Sequence, residues 1–213
     1  AAKSHTMVKA AISGEDLKDC EVIVITAGIP RKPGMSRDDL LLTNAKIMQA
    51  VLEDIKKYAP NSKIIIVSNP LDAMVYAALK ILKFPREQVI GMAGILDSAR
   101  MSHFICEKLG YGAGQIESSV MGGHGDAMVP LVNYSTVAGV SLPELLSKED
   151  IEDIVTKTKN GGLQIVKLLE TGSAYYAPAH ATSLMVEAIL HNTRKIYPCS
   201  VMLDGEYDCK NVV

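Results

Sequence analysis

The residue with the clearest potential for chemistry is His124, which stands in the glycine-rich run GGHGD at positions 122–126. Histidine exchanges a proton near neutral pH, and neighbouring glycines let a ligand approach the backbone closely. The pattern predicts a proton-transferring histidine, with an ordinary turn histidine as the alternative. The remaining histidines are interpreted as surface or packing residues, and none has zinc-ligand spacing, so no metal site is expected: His5, His103, His180 and His191.

Two groups of charged residues could bind an anion. Asp97 and Arg100 are three residues apart in a helical pattern and therefore share one helix face. Arg31 and Arg37 flank a loop rich in proline and glycine that follows an apolar strand. Arginine holds a carboxylate in a two-pronged fork, so both groups favour an anionic ligand. A local salt bridge for the first group and a solvated loop for the second are the alternatives.

Two further places combine small or polar residues. Asn69 ends an apolar strand just before Pro70, where its amide could donate to a ligand or could bond its own turn. The segment 172–178, GSAYYAP, joins two helical patterns with small residues. It could leave room for a ligand, or it could simply connect the helices.

Strand and helix patterns alternate in the first half of the chain. We predict a strand at 21–26 that is buried on both faces, a helix from Ser36 to about Ala59, a strand at 63–69, a helix at 71–82 and a strand at 89–92. The long helix is predicted to start with a capping box of Ser36 and Asp39, and its apolar stripe is predicted to be Leu40, Ile47, Val51 and Ile55. This order predicts a parallel sheet with helices on its faces, which binds ligands at the carboxyl ends of its strands.

The second half has a different pattern. We predict a helix at 96–109, strands at 116–121 and 128–134, helices at 148–169 and 178–191, and a strand at 199–203. The alternation of strand and helix stops near Ala93. We therefore predict one domain over 1–92 and a second, α+β domain over 93–213.

Composition excludes several classes of protein. The chain has 213 residues, 22 Lys+Arg against 24 Asp+Glu and a net charge of −2, which disfavours a nucleic-acid partner. No apolar run is long enough to cross a bilayer, and no secretory leader is evident, so a membrane partner is not expected. The four cysteines are scattered without a CxxC pair, which favours free thiols in the reducing cytoplasm.

Taken together and in this order, the motifs resemble the lactate/malate dehydrogenase family. The segments that carry the resemblance are VITAGIPRKPGMSR (24–37), VSNPLD (67–72), GMAGILDSAR (91–100), GGHGD (122–126) and GSAYYAPA (172–179). The chain is most similar to the bacterial malate-oxidising branch that is related to lactate dehydrogenase, and the resemblance covers about 19–213. It implies an α/β fold, with a Rossmann-type parallel sheet followed by an α+β catalytic domain, and an oxidoreductase of the tricarboxylic acid cycle.

The resemblance also implies roles for the polar residues. His124 would be the acid/base in hydride transfer between NAD and C2 of a 2-hydroxy acid, and Asp97 would pair with it and favour the imidazolium form. Arg100 would hold the C1 carboxylate, Arg37 would be catalytic by polarising the ketone as well as contacting substrate, and Asn69 would also contact substrate.

Arg31 would select the substrate. In the family this loop position is Arg in malate enzymes and typically Gln in lactate enzymes. A second carboxylate needs a cation, and a dry pocket with an unpaired arginine would reject pyruvate. The loop at 30–36 would close over the substrate and exclude water.

The implied cofactor is NAD, and the implied assembly is a homodimer or homotetramer. Eight residues would line the cofactor site, from the pyrophosphate and adenosine side to the nicotinamide: Thr26, Ala27, Gly28, Asn44, Val67, Ser68, Asn69 and Met128. A small dicarboxylate would be the other partner.

The chain departs from the family pattern in its cofactor motif. It has no G-x-G-x-x-G after an opening strand, and the nearest glycine run, 110–114, follows a helix. We therefore expect the family's first βαβ unit to precede residue 1 and the family's last elements to follow Val213, so that both domains are truncated. Two alternatives stay open: a lactate or broader 2-hydroxy acid dehydrogenase, and a non-catalytic fragment that keeps only oligomer contacts.

Overall fold

The computed structural model describes residues 6–29, 36–170, 172 and 174–213, with Arg37 described in its main chain alone. The helices are α1 (Arg37–Tyr58), α2 (Leu71–Leu82), α3 (Gly94–Leu109), α4 (Leu142–Leu145), α5 (Lys148–Leu169) and α6 (Tyr176–Leu190). The strands are β1 (Val22–Ile25), β2 (Lys63–Ile66), β3 (Val89–Gly91), β4 (Ile116–Glu117), β5 (Val120–Gly122), β6 (Met128–Pro130), β7 (Thr136–Val137), β8 (Val140–Ser141), β9 (Leu203–Asp204) and β10 (Lys210–Val212).

The first half forms the predicted parallel sheet. Its strand order is β1-β2-β3, and both pairings are parallel, with Ile23 opposite Ile64 and Ile64 opposite Val89. The connections run through α1 and α2, so the chain is an α/β fold as predicted. Because the strands are parallel, their carboxyl ends meet at one edge of the sheet.

Helices cover both faces of this sheet. One face packs against α1 and α2 in a cluster whose fully buried members include Met48, Leu52, Ile55, Ile64, Ile66 and Met74. On the opposite face Ile65 packs with Leu96 of α3 and Met185 of α6. Since apolar side chains of both strand faces are removed from water, β2 is the fully buried strand that its isoleucine run predicts.

The prediction that the first strand is buried on both faces is wrong for one face, on which Val22 is only partly buried and Val24 and Thr26 are exposed. Ile23 and Ile25 are buried, but Val24 is 38% exposed. In the described part of the chain, β1 stands at the edge of the sheet with β2 beside it, and Val24 lies in the wall of a large cavity. An apolar run alone cannot distinguish a strand face covered by a helix from one that borders a cavity.

The predicted capping box at the start of α1 is confirmed. The backbone N–H of Asp39 donates to Oγ of Ser36 at 3.0 Å, and the backbone N–H of Ser36 donates to the Asp39 carboxylate at 3.1 Å. These bonds, together with one from the Ser36 hydroxyl, lower the pKa of Asp39. The helix ends at Tyr58, close to the predicted stop.

The buried stripe of α1 differs from the predicted one. Met48, Leu52 and Ile55 are fully buried, whereas three of the four predicted residues are only partly buried, namely Leu40, Ile47 and Val51. The stripe extends to the buried Asn44, four residues before Met48. A buried polar residue therefore lies on the core face of the helix, and a search for apolar spacing alone does not detect it.

The second half is an α+β arrangement around α3. The predicted strand at 116–121 is two short strands, β4 and β5, which pair in different sheets. The break occurs because this segment bonds to α3: the hydroxyl of Ser118 donates to the carbonyl of Ser98 at 2.7 Å, and the N–H of Val120 donates to Oγ of Ser98 at 2.9 Å. The predicted strand at 128–134 likewise ends at Pro130 and continues as a 3-10 turn.

The predicted strand at 199–203 is also wrong as a continuous element. Ser200 forms one antiparallel bridge with Gly91, and the next strand, β9, begins at Leu203 and pairs with β10. Arg86 makes a two-pronged ion pair with Glu206, which lowers the pKa of the Glu206 carboxyl to about 2. The C-terminal segment therefore packs beside β3 through specific polar contacts. None of the helices within the described ranges is long and apolar enough to span a membrane.

Candidate active site

A cavity of about 1150 Å³ opens at the carboxyl ends of β1 and β2. The residues that follow these strands form one side of it, and α5, α6 and the loop after β5 form the other. The predicted site residues in its wall are Thr26, Gly28, Asn44, Val67, Ser68, Asn69, Arg100, His124 and Met128. The fold therefore brings together motifs that are far apart in sequence, at the sheet edge where a ligand was expected.

His124 and Asp97 form a directly bonded pair. Nδ1 of His124 lies 2.8 Å from Oδ2 of Asp97. Asp97 is 1% exposed in the first turns of α3, so water does not compete for its carboxylate. The contact favours the neutral tautomer that carries its proton on Nδ1, which leaves Nε2 to exchange a proton with a ligand. The pair can also stabilise the imidazolium form by its opposite charge.

Arg100 extends this pair to a group of three. Its Nη1 lies 3.1 Å from Oδ1 of Asp97, so the local salt bridge that the sequence allowed is present. Arg100 also lines the cavity, and its Nε is buried without a hydrogen-bond partner among the described residues. A buried cationic donor with unused hydrogen-bonding capacity is suited to an anionic ligand such as a carboxylate.

Two glycines of α5 pack directly against Arg100, and one of them, Gly162, also lines the cavity. A Cβ placed on Gly161 would lie 3.3 Å from Cδ of Arg100, and one on Gly162 would lie 3.4 Å from its Nη2. The guanidinium therefore lies directly along α5, where larger side chains would crowd it. Glycine weakens a helix interior, so a pair of them there indicates a close approach of this kind.

Asn44 ties the ends of β1 and β2 together. Its Oδ1 accepts from the N–H of Ile29 at 2.8 Å, and its Nδ2 donates to the carbonyl of Asn69 at 2.7 Å and to that of Ile29 at 3.2 Å. Asn44 is buried, so these bonds satisfy its amide and fix the two loops relative to each other. Gly28 has a φ of +150°, and a Cβ there would lie 3.1 Å from Oδ1 of Asn44.

A second cross-link joins the same loops. The hydroxyl of Ser68 donates to the carbonyl of Ala27 at 2.6 Å. Ala27 was predicted to contact the cofactor, but it does not line the cavity. Its carbonyl instead takes part in the bond that joins the two loops. The result is a narrow, backbone-lined surface after both strands, with glycine where a side chain would intrude. Glycine at position 28 thus makes room for the Asn44 side chain that connects the two loops.

Two predicted residues are not tested by this geometry. Arg31 lies outside the described residues, and of Arg37 only the main chain is described, at the first position of α1. Their roles stay predictions, as do the roles assigned to the other site residues. The histidines outside the cavity that the structure describes are exposed, namely His103, His180 and His191, and His5 lies outside the described residues. No group of three or more potential metal ligands occurs among the residues described.

The sequence interpretation missed much of the wall formed by α5 and α6. Its members share ordinary helical spacing and are Lys159, Gly162, Leu163, Val166, Ala179, Thr182, Ser183 and Val186. The Gly161–Gly162 pair was the available signal, because glycine is unfavourable inside a helix. The segment 172–178, for which room for a ligand was one interpretation, does reach the cavity through Gly172, Ala174, Tyr175 and Pro178.

Comparison with protein families decides the relationship. Residues 2–91 match the lactate/malate dehydrogenase NAD binding domain, and residues 95–213 match the lactate/malate dehydrogenase alpha/beta C-terminal domain. The chain belongs to the lactate/malate dehydrogenase family. The match begins at residue 2, further toward the N-terminus than the motifs indicated. An NAD-binding domain of this oxidoreductase family is therefore present, as predicted.

Two curated relatives that match nearly the whole chain are malate dehydrogenases. The chain is 62% identical over 210 residues to malate dehydrogenase of Aliarcobacter butzleri (strain RM4018), covering 99% of this chain and 67% of the relative. It is 62% identical over 213 residues to malate dehydrogenase of Sulfurimonas denitrificans, covering 100% of this chain and 67% of the relative. The chain thus spans about two thirds of the length of these relatives.

Solved structures of the family share the fold. Malate dehydrogenase from Aeropyrum pernix matches with a TM-score of 0.91 and 45% identity, over 95% of this chain and 66% of that one. Lactate dehydrogenase from Eimeria maxima, solved with NADH and oxamate, matches with a TM-score of 0.93 and 41% identity, over 99% of this chain and 66% of that one. Because both activities occur on this fold, the backbone alone does not distinguish their substrates.

Proposed function

We propose that the full-length protein interconverts malate and oxaloacetate with NAD as the hydride carrier. The observation that carries this proposal is the His124–Asp97 pair beside Arg100, with His124 and Arg100 in the wall of the cavity where β1 and β2 end. One cavity thus combines a proton carrier, a carboxylate-binding cation and the expected cofactor surface. The 62% identity to curated malate dehydrogenases supports the choice of substrate.

In the reduction of oxaloacetate, His124 gives its proton from Nε2 to the ketone oxygen as the alcohol forms. In malate oxidation it takes the hydroxyl proton back at the same nitrogen. Asp97 holds Nδ1 and stabilises the charged ring when it carries two protons. When bound in this cavity, NADH would supply the hydride to C2, and NAD would accept it in the reverse direction.

The arginines orient the substrate. Arg100 holds the C1 carboxylate with guanidinium donors that Asp97 does not use. Arg37 polarises the ketone and stabilises the charge that grows on its oxygen, and Asn69 contacts the substrate from the end of β2. These contacts would hold C2 within reach of His124 and of the cofactor surface. The binding energy of the two carboxylates is thereby used to orient the reacting carbon.

The cofactor residues are assigned to two parts of the cofactor. Thr26, Ala27 and Gly28 would hold the pyrophosphate and adenosine side, where the close approach of Gly28 to Asn44 leaves no room for a side chain. Val67, Ser68, Asn69 and Met128 would line the nicotinamide side together with Asn44. Asn44 acts through the two loops that it connects.

Further proposals concern the assembly and its setting. We place the protein in the cytoplasm, because the four cysteines are free thiols, which suits a reducing compartment. The proposed conversion of malate would place it in the tricarboxylic acid cycle. A homodimer or homotetramer is expected from the family, and exposed apolar side chains such as Leu42 of α1 and Leu168 of α5 are candidates for its contacts. The boundary between domains 1–92 and 93–213 stays a prediction.

The experiment that tests the proposed function compares oxaloacetate with pyruvate. NADH oxidation by the full-length protein is followed at fixed cofactor and varied keto acid, and kcat/KM is obtained for each. We expect oxaloacetate to be preferred on the order of 10²-fold or more, because pyruvate would leave the Arg31 cation unpaired in a closed site. A preference for pyruvate would identify a lactate dehydrogenase instead.

Replacement of Arg31 by Gln tests the residue assigned to this choice. We expect the ratio of kcat/KM for oxaloacetate to that for pyruvate to fall about tenfold or more in the Arg31→Gln variant, since the amide offers no charge to the second carboxylate. Lys32→Gln, on the same loop, is the matched control and should keep the parent ratio. Equal ratios in the Arg31→Gln variant and the parent would remove Arg31 from substrate selection.

A further inference from the structure

The backbone of His124 has its own anchor, separate from the contact of its ring. Oδ2 of Asp72 accepts from the N–H of His124 at 2.9 Å. A Cβ on the preceding Gly123 would lie 3.3 Å from the same oxygen, so the carboxylate is in contact with this part of the loop. Asp72 lies in the first turn of α2, directly after the segment that contains Asn69.

The other oxygen of Asp72 is fixed as well. Oδ1 accepts from the hydroxyl of Ser200 at 2.7 Å, and Ser200 is buried. The backbone of Ser200 exchanges two hydrogen bonds with Gly91 of β3, at 2.8 and 2.9 Å. The carboxylate is therefore held between the sheet and the histidine loop, and both of its oxygens are committed.

The loop needs an external anchor because of its own composition. Gly122 has a φ of +78° and Gly125 a φ of +134°, so glycines with wide conformational freedom flank His124 on both sides. The Asp97 contact fixes Nδ1 of the ring, but a ring held at one atom can still move with its backbone. Fixing the N–H as well as Nδ1 gives the side chain two points of attachment, on different elements.

We propose that Asp72 is a positioning residue for the reaction. It holds the backbone of His124 and so keeps the position of Nε2 constant relative to the nicotinamide side of the cavity. This inference rests on the proposed function. Asp72 belongs to the same chain segment as Asn69, so the proton carrier and the proposed nicotinamide surface share one rigid support. A displacement of about 1 Å at such a site can cost on the order of 10²-fold in rate.

A purely structural role for Asp72 is the competing explanation. An acidic residue in the first turn stabilises a helix by interaction with its dipole, and Asp72 satisfies that rule. Asp150 in the first turn of α5 satisfies it too, but it pairs with Lys108 and does not line the cavity. Asp150→Ala is therefore the matched control for loss of a first-turn carboxylate.

The test uses the full-length protein with three replacements of Asp72. Asp72→Ala should lower kcat about tenfold or more while the dissociation constant for NADH stays within about twofold of the parent value. Asp72→Glu, which moves the acceptor by one methylene, should also lower kcat. Asp72→Asn should retain most of kcat, because its amide oxygen can accept from His124 while its NH₂ group donates to Ser200. Asp150→Ala should keep the parent kcat.

Hydrogen exchange gives a readout that does not depend on turnover. Amide exchange of the peptide that covers 122–126 should be about tenfold faster in the Asp72→Ala or Asp72→Glu variant than in the parent, with Asp72→Asn close to the parent. Unchanged exchange and kcat in the Ala and Glu variants would overturn the positioning role, and so would an Asn variant as impaired as Ala. A parent protein that does not reduce oxaloacetate would refute the proposed function, while exchange would still decide the role of Asp72.

Discussion

Replacement of His124 by Asn is expected to lower kcat for oxaloacetate reduction on the order of 10³-fold, with little change in NADH affinity. Asparagine is close to histidine in size and can still donate to Asp97, so the loop and the buried carboxylate keep their partner. It cannot carry a proton to the ketone oxygen at any pH near neutral. General acid–base catalysis contributes about 10²- to 10⁴-fold, and that contribution is what the variant loses.

The measurement is kcat by NADH absorbance, together with NADH affinity by fluorescence titration. His103→Asn is the matched control, because His103 lies on the exposed face of α3 and does not line the cavity. Its Nε2 is 3.8 Å from Oε1 of Glu107. It should keep the parent kcat and affinity. A His124→Asn variant with kcat within about threefold of the parent would remove His124 from the mechanism.

Replacement of Arg100 by Lys is expected to lower kcat/KM for oxaloacetate on the order of 10²-fold, mainly through a higher KM. Lysine keeps the charge but loses the planar fork that binds a carboxylate through two parallel bonds. The change also withdraws the Nη1 contact from Asp97 and empties the space beside Gly161 and Gly162. Substrate binding should therefore weaken even though the net charge of the site is conserved.

Arg86→Lys provides the matched control for this substitution. Arg86 also makes a two-pronged contact with a carboxylate, that of Glu206, but on the protein surface and away from the cavity. The control should keep the parent KM and kcat while it loses the same fork geometry. If Arg100→Lys leaves KM for oxaloacetate unchanged, the C1 carboxylate is held by another residue.

The sheet and its helices could be predicted because their signals are local. The isoleucine run of β2 and the capping box of Ser36 and Asp39 each depend on neighbours in sequence, and both were predicted correctly. The exposure of Val24 and the rotated stripe of α1 could not be predicted, because they depend on what lies opposite each element. The bridge between Ser200 and Gly91 joins residues far apart in the chain, so local spacing gave no sign of it.

The residues of the candidate site likewise fall into those with a local sequence signal and those placed only by tertiary packing. His124, Asp97 and Arg100 stand in unusual local contexts, so the sequence marked them before the structure brought them into contact. Lys159 and Leu163 of α5 have ordinary helical spacing, and only the packing of α5 along Arg100 places them in the wall. The bond from His124 to Asp72 was not predicted for a related reason, since a first-turn aspartate is usual in any helix.

In the proposed reaction, hydride passes directly between the cofactor and C2 of the substrate, and His124 transfers the proton. Its most direct test is reduction of oxaloacetate by the full-length protein with NADH that carries two deuterium atoms at C4, in ordinary water. We expect malate with one deuterium at C2, detected by mass spectrometry and NMR. Malate with hydrogen at C2, or no malate at all, would contradict the proposed reaction.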